Sequence, residues 1–336
     1  MKKEDIEKAT QECGVENLPD VTNYCSTGST LMDVAIANRY PGGIPIGRTV
    51  HVYGGTSTCK SVLCATILGY AQRSGMLAFY ADTEHTFDPA FATIYGLDSS
   101  KEDVFKLGHP ENLEDLFDDW IFDILDLKDK RNRIACVDSL TALPSIAETK
   151  KDMKEGTYGN RAKQINLGIR KYLQDMANTN TTLFYVDQTR DDIGSPYPKE
   201  TVSGGRALEF YSSVRIYLKN DTVIKNSSDK VIGMWVWFRI DKNKVGPPLR
   251  EGRFRILFDY GLDNICSNLY FLSEEMFGEK EGQKLTAKLN LFDKEMTIKA
   301  WIPYIEENNL EKKLEELVWE RWQVAYRTED RKARIW

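Results

Sequence analysis

A chain of 336 residues is too long for one small module and, at about 100–200 residues per domain, suits two domains or one large one. Hydrophobic residues at 41% and charged residues at 29% give enough apolar surface to build a core, which excludes wholesale disorder. The net charge of −6 excludes a nucleic-acid surface spread over the whole molecule, so any such contact must be local.

Residues 1–35 read as an N-terminal arm: Ile6, Ala9 and Cys13 at near-helical spacing, then a Pro/Asn/Ser/Thr/Gly stretch from Leu18 to Thr30. The opening Met1, Lys2, Lys3, Glu4 carries no apolar leader, and no apolar run approaches the ~18 residues of a membrane-crossing helix. Both point to a cytosol and away from a membrane. From Arg48 onward, β-rich runs alternate with helical stretches, the pattern of an α/β sheet domain. The runs are Thr49–Tyr53, Leu77–Asp82, Ile134–Asp138, Leu183–Asp187, Val214–Leu218, Val231–Ile240 and Arg253–Phe258. Helices are expected over Lys60–Ser74, Asp88–Tyr95, Leu113–Leu127 and Asn160–Asn178. After Asp259 the strand signal fades, and Leu310, Leu314, Leu317 and Val318 mark a helix in a small C-terminal domain. The division expected is an arm over 1–35, a core over 36–258 and a C-terminal domain over 259–336. Six cysteines without a CxxC pair, and three histidines without zinc spacing, read as reduced thiols and no structural metal.

The first strand runs into Gly54, Gly55, Thr56, Ser57, Thr58, Cys59, Lys60 and Ser61, and a helix follows. This matches the phosphate loop G-x-x-x-x-G-K-[ST] at every position except Cys59, where glycine is expected. Backbone N–H groups at a helix N-terminus would wrap the phosphates, Lys60 would reach the terminal phosphates and the Ser61 hydroxyl would meet Mg²⁺. Cys59 has two readings. Beside Lys60 and at a helix N-terminus its thiol pKa should fall below the usual ~8.5, or it is an inert residue in glycine's place. Gly54, Glu84, Asp138 and Gln188 fall at or just past the ends of four expected strands. They converge on one crevice if those strands are parallel. Asp138 closes the apolar run Ile134–Val137, as a Mg²⁺-orienting aspartate would.

Between Lys150 and Lys171 seven basic residues face two acidic ones, a local surplus in an acidic chain. Lys150, Lys151, Lys154, Arg161, Lys163 and Arg170 are the candidate nucleic-acid contacts. Lys163 and Arg170, seven apart, share one helical face.

The segment Phe79 to Pro89, with Glu84 inside it, resembles the catalytic-glutamate segment of RecA recombinases. So do Ser26–Ser29, Gly42–Arg48, Asp187–Arg190, Ser203–Arg215 and Asp241–Lys244, in order and spacing. The resemblance spans Ser26 to Phe258. It implies a RecA-like P-loop NTPase core, a mostly parallel sheet flanked by helices, with a small C-terminal α/β domain. It further implies ATP and Mg²⁺ as cofactors, and single-stranded and homologous duplex DNA as partners, bound by a helical filament of the chain. By the same resemblance Glu84 would polarise water, Gln188 would sense the γ-phosphate, and Asp88 and Phe91 would hold adenine. Lys242 and Lys244 would reach a neighbour's ATP, Phe210 would sit in that interface, and Arg190, Gly204, Gly205 and Arg206 would belong to a DNA-binding loop. Phage recombinases of the UvsX type are similar in lacking the loop glycine. Two departures stand out: Asp191 and Asp192 follow Arg190 where bacterial members are apolar or basic, and the C-terminus lacks an acidic tail. A RecA-fold ring helicase, or a nucleotide-binding filament or mediator protein with little hydrolysis, are the alternatives.

Overall fold

The computed structural model describes residues 21–150, 160–191, 200–202, 206–277 and 285–327. The expected N-terminal helix, Lys151, Lys154, Gly204, Gly205 and the chain end lie outside the described residues.

A short strand β1 (Tyr24–Cys25) leads to α1 (Thr30–Ala37) and returns to pair antiparallel with β2 (Ile44–Pro45). Ser29 caps α1 by accepting from Met32 N, and the helix ends at Asn38 in the left-handed region. Every residue of α1 is buried, so these residues, expected in an arm, belong to the body. The physical reason is apolar: Leu31, Met32, Val34 and Ile36 share one core with Phe238, Phe254 and Trp322. Asp33 is held at that point by Ser26 Oγ (2.6 Å), Thr27 N (2.8 Å) and Thr27 Oγ1 (2.6 Å).

The central elements follow in order: β3 (Thr49–Gly54), α2 (Lys60–Arg73), β4 (Leu77–Asp82), α3 (Pro89–Ile94) and β5 (Phe105–Gly108). Residues Asp115–Ile121 form a π-helical stretch that runs into α4 (Phe122–Asp126), where one continuous α-helix is expected from sequence. Then come β6 (Arg133–Asp138), α5 (Ile146–Thr149), α6 (Asn160–Asn178), β7 (Thr181–Asp191), β8 (Glu200–Val202) and α7 (Arg206–Tyr211). A long hairpin, β9 (Val214–Lys225) and β10 (Val231–Asn243), is followed by β11 (Glu251–Leu257) and β12 (Gly261–Asp263).

One sheet carries these strands in the order β12-β11-β10-β9-β3-β7-β6-β4-β5. From β9 to β5 neighbours run parallel, and β10, β11 and β12 are added antiparallel. Strand alternation divides the core in two. Val50, Val52, Ile134, Cys136, Phe184 and Val186 face one layer with α2. Ala135, Val137, Leu183 and Tyr185 face the other with α6. This is the expected α/β class: a mostly parallel sheet with helices on both faces.

The C-terminal part continues as α8 (Asn264–Phe277), the hairpin β13 (Lys288–Leu291) and β14 (Lys294–Thr297), α9 (Ile298–Glu307) and α10 (Glu311–Ala325). The sheet crosses the expected boundary at 258, because β12 pairs with β11 and leads directly into α8. Leu269, Trp301 and Trp322 then join the core that contains α1. No helix among the described residues is long and apolar enough to cross a membrane.

Candidate functional site

Parallel strands align their C-terminal ends, and here the register does so residue by residue. Gly54 lies level with Gln188, and Asp82 with Asp138. Gly54 is required where it stands, since a Cβ would meet Leu218 O at 2.2 Å. The loop then turns through two left-handed residues, Ser57 (φ 57°) and Cys59 (φ 62°), and enters α2 at Lys60. A non-glycine residue in that region costs roughly 1–2 kcal/mol, so Cys59 occupies a conformation that glycine would adopt freely. The Cys59 Sγ rests 3.4 Å from Met234 Sδ. Burial pushes its thiol up to about 11, against the downward pull of Lys60. Of the two readings of Cys59, this favours the inert residue: desolvation outweighs the ammonium beside it.

Lys60 folds over its own loop, donating to Gly54 O (3.1 Å), Gly55 O (2.6 Å) and Thr58 Oγ1 (3.2 Å). Its burial lowers its pKa while Asp138, Glu84 and Asp187 oppose that shift. Asp138 is buried and its pKa is raised by desolvation, although hydrogen bonds from Ser61 and Tyr80 favour the carboxylate. The Tyr80 hydroxyl donates to Asp138 Oδ2 at 2.9 Å. Glu84 is exposed and accepts from Ser139 Oγ at 3.1 Å. Thr83 ties the same two strand ends together, its N to Asp138 O and its Oγ1 to Ser139 O.

A cavity of about 340 Å³ joins these groups. Ser57, Thr58, Cys59, Lys60, Ser61, Glu84, Phe91, Asp138 and Gln188, all anticipated from sequence, line it. Thr56 is exposed on the loop and Gly55 is partly so. Asp88 caps α3 by accepting from Ala90 N, and that helix turns Phe91, 41% exposed, toward the cavity. Tyr95, Met234, Ile256 and Phe258 complete an apolar wall that sequence reading missed. Phe91 meets Tyr95 edge-on at 4.6 Å between ring centroids. A β-rich aromatic at the end of the Arg253–Phe258 run was the available signal for Phe258.

Lys242 and Lys244 are elsewhere. Lys242 is level with Arg215, and Arg215 with His51, so the pair sits toward the start of β3 and not at its phosphate-loop end. That is about 10 Å along the strands and about 10 Å across from Gly54, beyond the reach of a lysine of the same chain. Lys242 Nζ donates to Glu209 O (2.6 Å) and Phe210 O (2.8 Å). Phe210 itself is 53% exposed on α7.

The basic run divides. Arg161 is held by Glu148 (3.3 Å) and Thr141 O (3.0 Å), and Lys171 by Asp118 (2.7 Å). Lys163 and Arg170 are exposed on α6, and Lys150 is exposed after α5. Arg190 lies in β7 and Arg206 opens α7.

The family model of the RecA N-terminal domain matches residues 3–263 of the chain. Protein RecA of Colwellia psychrerythraea is 33% identical over 260 residues, 76% of this chain and 72% of that protein. Protein RecA of Haemophilus ducreyi is 34% identical over 258 residues, covering 76% of this chain and 67% of that protein. The chain belongs to the RecA family. RecA proteins are recombinases and DNA-dependent ATPases on a P-loop fold, and here the strand ends around Gly54 and Lys60 align in one crevice.

Proposed function

We propose that this chain is an ATP-dependent recombinase that assembles on single-stranded DNA as a helical filament and promotes homologous pairing and strand exchange with duplex DNA. The observation that carries the reading is the separation of two lysine stations. Lys60 lies in a cavity of nine sequence-anticipated residues, and Lys242 with Lys244 lies out of reach at the other end of the strands. Lysines so placed serve a nucleotide held by a neighbouring copy, as an arginine finger does.

In this reading the loop from Gly54 to Ser61 holds the ATP phosphates, Phe91 stacks on adenine and Asp88 holds its edge. Glu84 orients the attacking water, and Gln188 senses the γ-phosphate. Ser61 and Asp138 fit Mg²⁺: a hydroxyl and a carboxylate in hydrogen-bond contact are the hard oxygen donors it takes. The ion, when bound, neutralises charge between the β- and γ-phosphates. Phe210 lies in the interface between copies. Lys150, Lys163 and Arg170, with Arg190, Arg206 and the loop glycines Gly204 and Gly205, track the DNA backbone, and Lys151, Lys154 and Arg161 flank that path.

The segment ahead of Tyr24, within the expected arm over 1–35, serves as the polymerisation arm, residues up to 263 with the last strand of the sheet as the ATPase core, and the remainder of the expected 259–336 as a small C-terminal domain. Cys59 in glycine's position supports a phage-type member acting in the cytosol of an infected cell.

ATP hydrolysis measured with and without single-stranded DNA tests the reading. Stimulation by DNA without unwinding of a forked duplex is expected. Unwinding indicates a ring helicase. Nucleotide binding with no hydrolysis under either condition indicates a filament or mediator protein.

A further inference from the structure

At the centre of the sheet three polar side chains on adjacent strands face one another, and the nucleotide cavity uses none of them directly. His51 of β3 is level with Tyr185 of β7 on one side and Arg215 of β9 on the other. Its Nε2 lies 3.1 Å from Asp187 Oδ2, with both side chains sealed from solvent. Its Nδ1 accepts from Arg215 Nε at 3.4 Å. An imidazole that accepts at Nδ1 carries its single proton on Nε2, so that proton faces the Asp187 carboxylate. Tyr53 and Tyr185 stack on either side of the ring, 5.1 and 4.9 Å between centroids, and hold its plane.

The line continues in both directions. Asp187 accepts the Thr141 backbone N–H at 2.8 Å, two residues past Ser139, and Asp187 itself immediately precedes Gln188. Arg215 lies over the Tyr53 ring at 4.5 Å and reaches Glu209 Oε1 at 3.6 Å. Glu209 and Phe210 of α7 hold Lys242 through their carbonyls. Packed polar contacts therefore run from the cavity wall to the lysine station without a gap.

The middle link is a single contact sealed from solvent. His51 Nε2 and Asp187 Oδ2 lie 3.1 Å apart, and neither atom has another hydrogen-bond partner among the described residues. Two buried polar atoms that have only each other as partner make the contact costly to lose.

We propose that His51 is a positioning residue that couples the Gln188 end of β7 to α7 and Lys242 through Asp187 and Arg215. The proposal rests on the reading of Gln188 as nucleotide sensor and Lys242 as the lysine that acts on a neighbour. Movement of Gln188 toward phosphate draws Asp187 with it, and His51 passes that displacement to Arg215 and α7.

Asp187→Asn tests it with little change of shape. An asparagine that still accepts from Thr141 turns its amide N–H₂ toward the His51 N–H, which breaks the middle link alone. His51→Gln places an amide donor toward Asp187 and an amide oxygen toward Arg215, so it conserves both links. Arg215→Met, at a partly exposed position, breaks the outer link and decides the matter if Asp187→Asn does not fold.

Stimulation of hydrolysis by single-stranded DNA should fall about tenfold in Asp187→Asn and Arg215→Met, within the usual 5–150-fold span of coupling between sites. His51→Gln should retain most of it, and affinity for a fluorescent ATP analogue should be unchanged in His51→Gln and Arg215→Met, which leave every carboxylate around Lys60 in place. Full stimulation in a folded Asp187→Asn or Arg215→Met overturns the proposal. Loss of nucleotide affinity in step with hydrolysis in Arg215→Met also overturns it, because the residues would then only support the fold. A wild-type chain indifferent to DNA refutes the recombinase reading itself, whereas a stimulated wild type with unaffected variants refutes the coupling alone.

Discussion

Two lysines in this molecule are drawn out of water, and the company each keeps is opposite. Lys60 is buried among loop carbonyls, with the carboxylates of Asp138, Glu84 and Asp187 holding its charge in place. Lys242 is half-buried against the carbonyls of Glu209 and Phe210, but its strongest charged neighbours are Lys244 and Arg215. Burial and those two cations push it down to about 8, with Glu209 opposing. The first station is balanced within one chain, and on the proposed function it takes phosphate together with a metal ion. The second gathers the charges of Lys242, Lys244 and Arg215 against the single carboxylate of Glu209. On the proposed function, an anion held by a neighbouring copy would relieve it.

The largest effect should come from the acidic side of the first station. Glu84→Gln keeps the shape of the strand ends and the contact with Ser139, but removes the charge that orients water. Hydrolysis should fall by about 10²–10⁴, the usual scale for losing a general base, while nucleotide binding and assembly persist. Near-normal turnover would take Glu84 out of the mechanism, and loss of binding would assign it to the fold.

The second station should fail in a different manner. Lys242→Ala or Lys244→Ala should abolish DNA-stimulated hydrolysis, and mixing either with Lys60→Ala protomers should restore part of it. In mixed filaments an intact Lys60 can face an intact Lys242 on the next copy. The register supports this, since the lysine pair is beyond reach of its own phosphate loop. Absence of rescue at every mixing ratio would mean action within one chain and would collapse the contrast between the two stations.

Much of this contrast was legible in the residues themselves. Leu77–Asp82 and Asn160–Asn178 form over the limits expected, because the first is an unbroken β-rich run and the second a long helix bounded by asparagines. The convergence of Gly54, Glu84, Asp138 and Gln188 followed from strand ends alone, and the parallel register delivers it. What was not legible depends on tertiary contact. β5 was missed because it is an edge strand with only Phe105 buried, so no apolar alternation betrays it. Met234, Ile256 and Phe258 reach the cavity from antiparallel strands and the turn after them, far along the chain from the phosphate loop. The two readings of Cys59 stayed open for the same reason. Helix dipole and ammonium can be read from neighbours in sequence, whereas burial cannot.

The charge on Lys242 sharpens the comparison by pH. Its folded pKa of about 8 lies below the ordinary 10.5, so the unfolded chain binds more protons between those values. Stability of the protein should therefore rise as pH increases from about 8 toward 10.5, and Lys242→Met should flatten that rise in a series of thermal melts. Binding of an anion restores the proton, so filament assembly with ATP should weaken as pH climbs past 8 even while the free protein becomes more stable. Parallel trends in assembly and stability would show that Lys242 meets no anion.

The smallest effect concerns the thiol beside Lys60, and it asks whether the first station lowers the pKa of every group in it. If ammonium and helix N-terminus governed, Cys59 would be a thiolate near neutrality; burial instead pushes it up to about 11. Iodoacetamide should therefore label it slowly at pH 7, with a rate that climbs about tenfold per pH unit, since only the thiolate reacts. Among the described cysteines it should still be labelled first, because Cys25, Cys64, Cys136 and Cys266 are buried and Cys59 is partly open. ATP with Mg²⁺ should slow labelling further, as phosphate would cover the loop that carries the thiol. Cys59→Gly should relieve the left-handed backbone at the loss of the contact with Met234, two small terms of opposite sign, and so leave hydrolysis close to wild type. A labelling rate that levels off near neutral pH would mean that the positive charge of Lys60 reaches the sulfur undiminished. The first station would then be as electropositive as the second, and the difference between them would lie in reach alone.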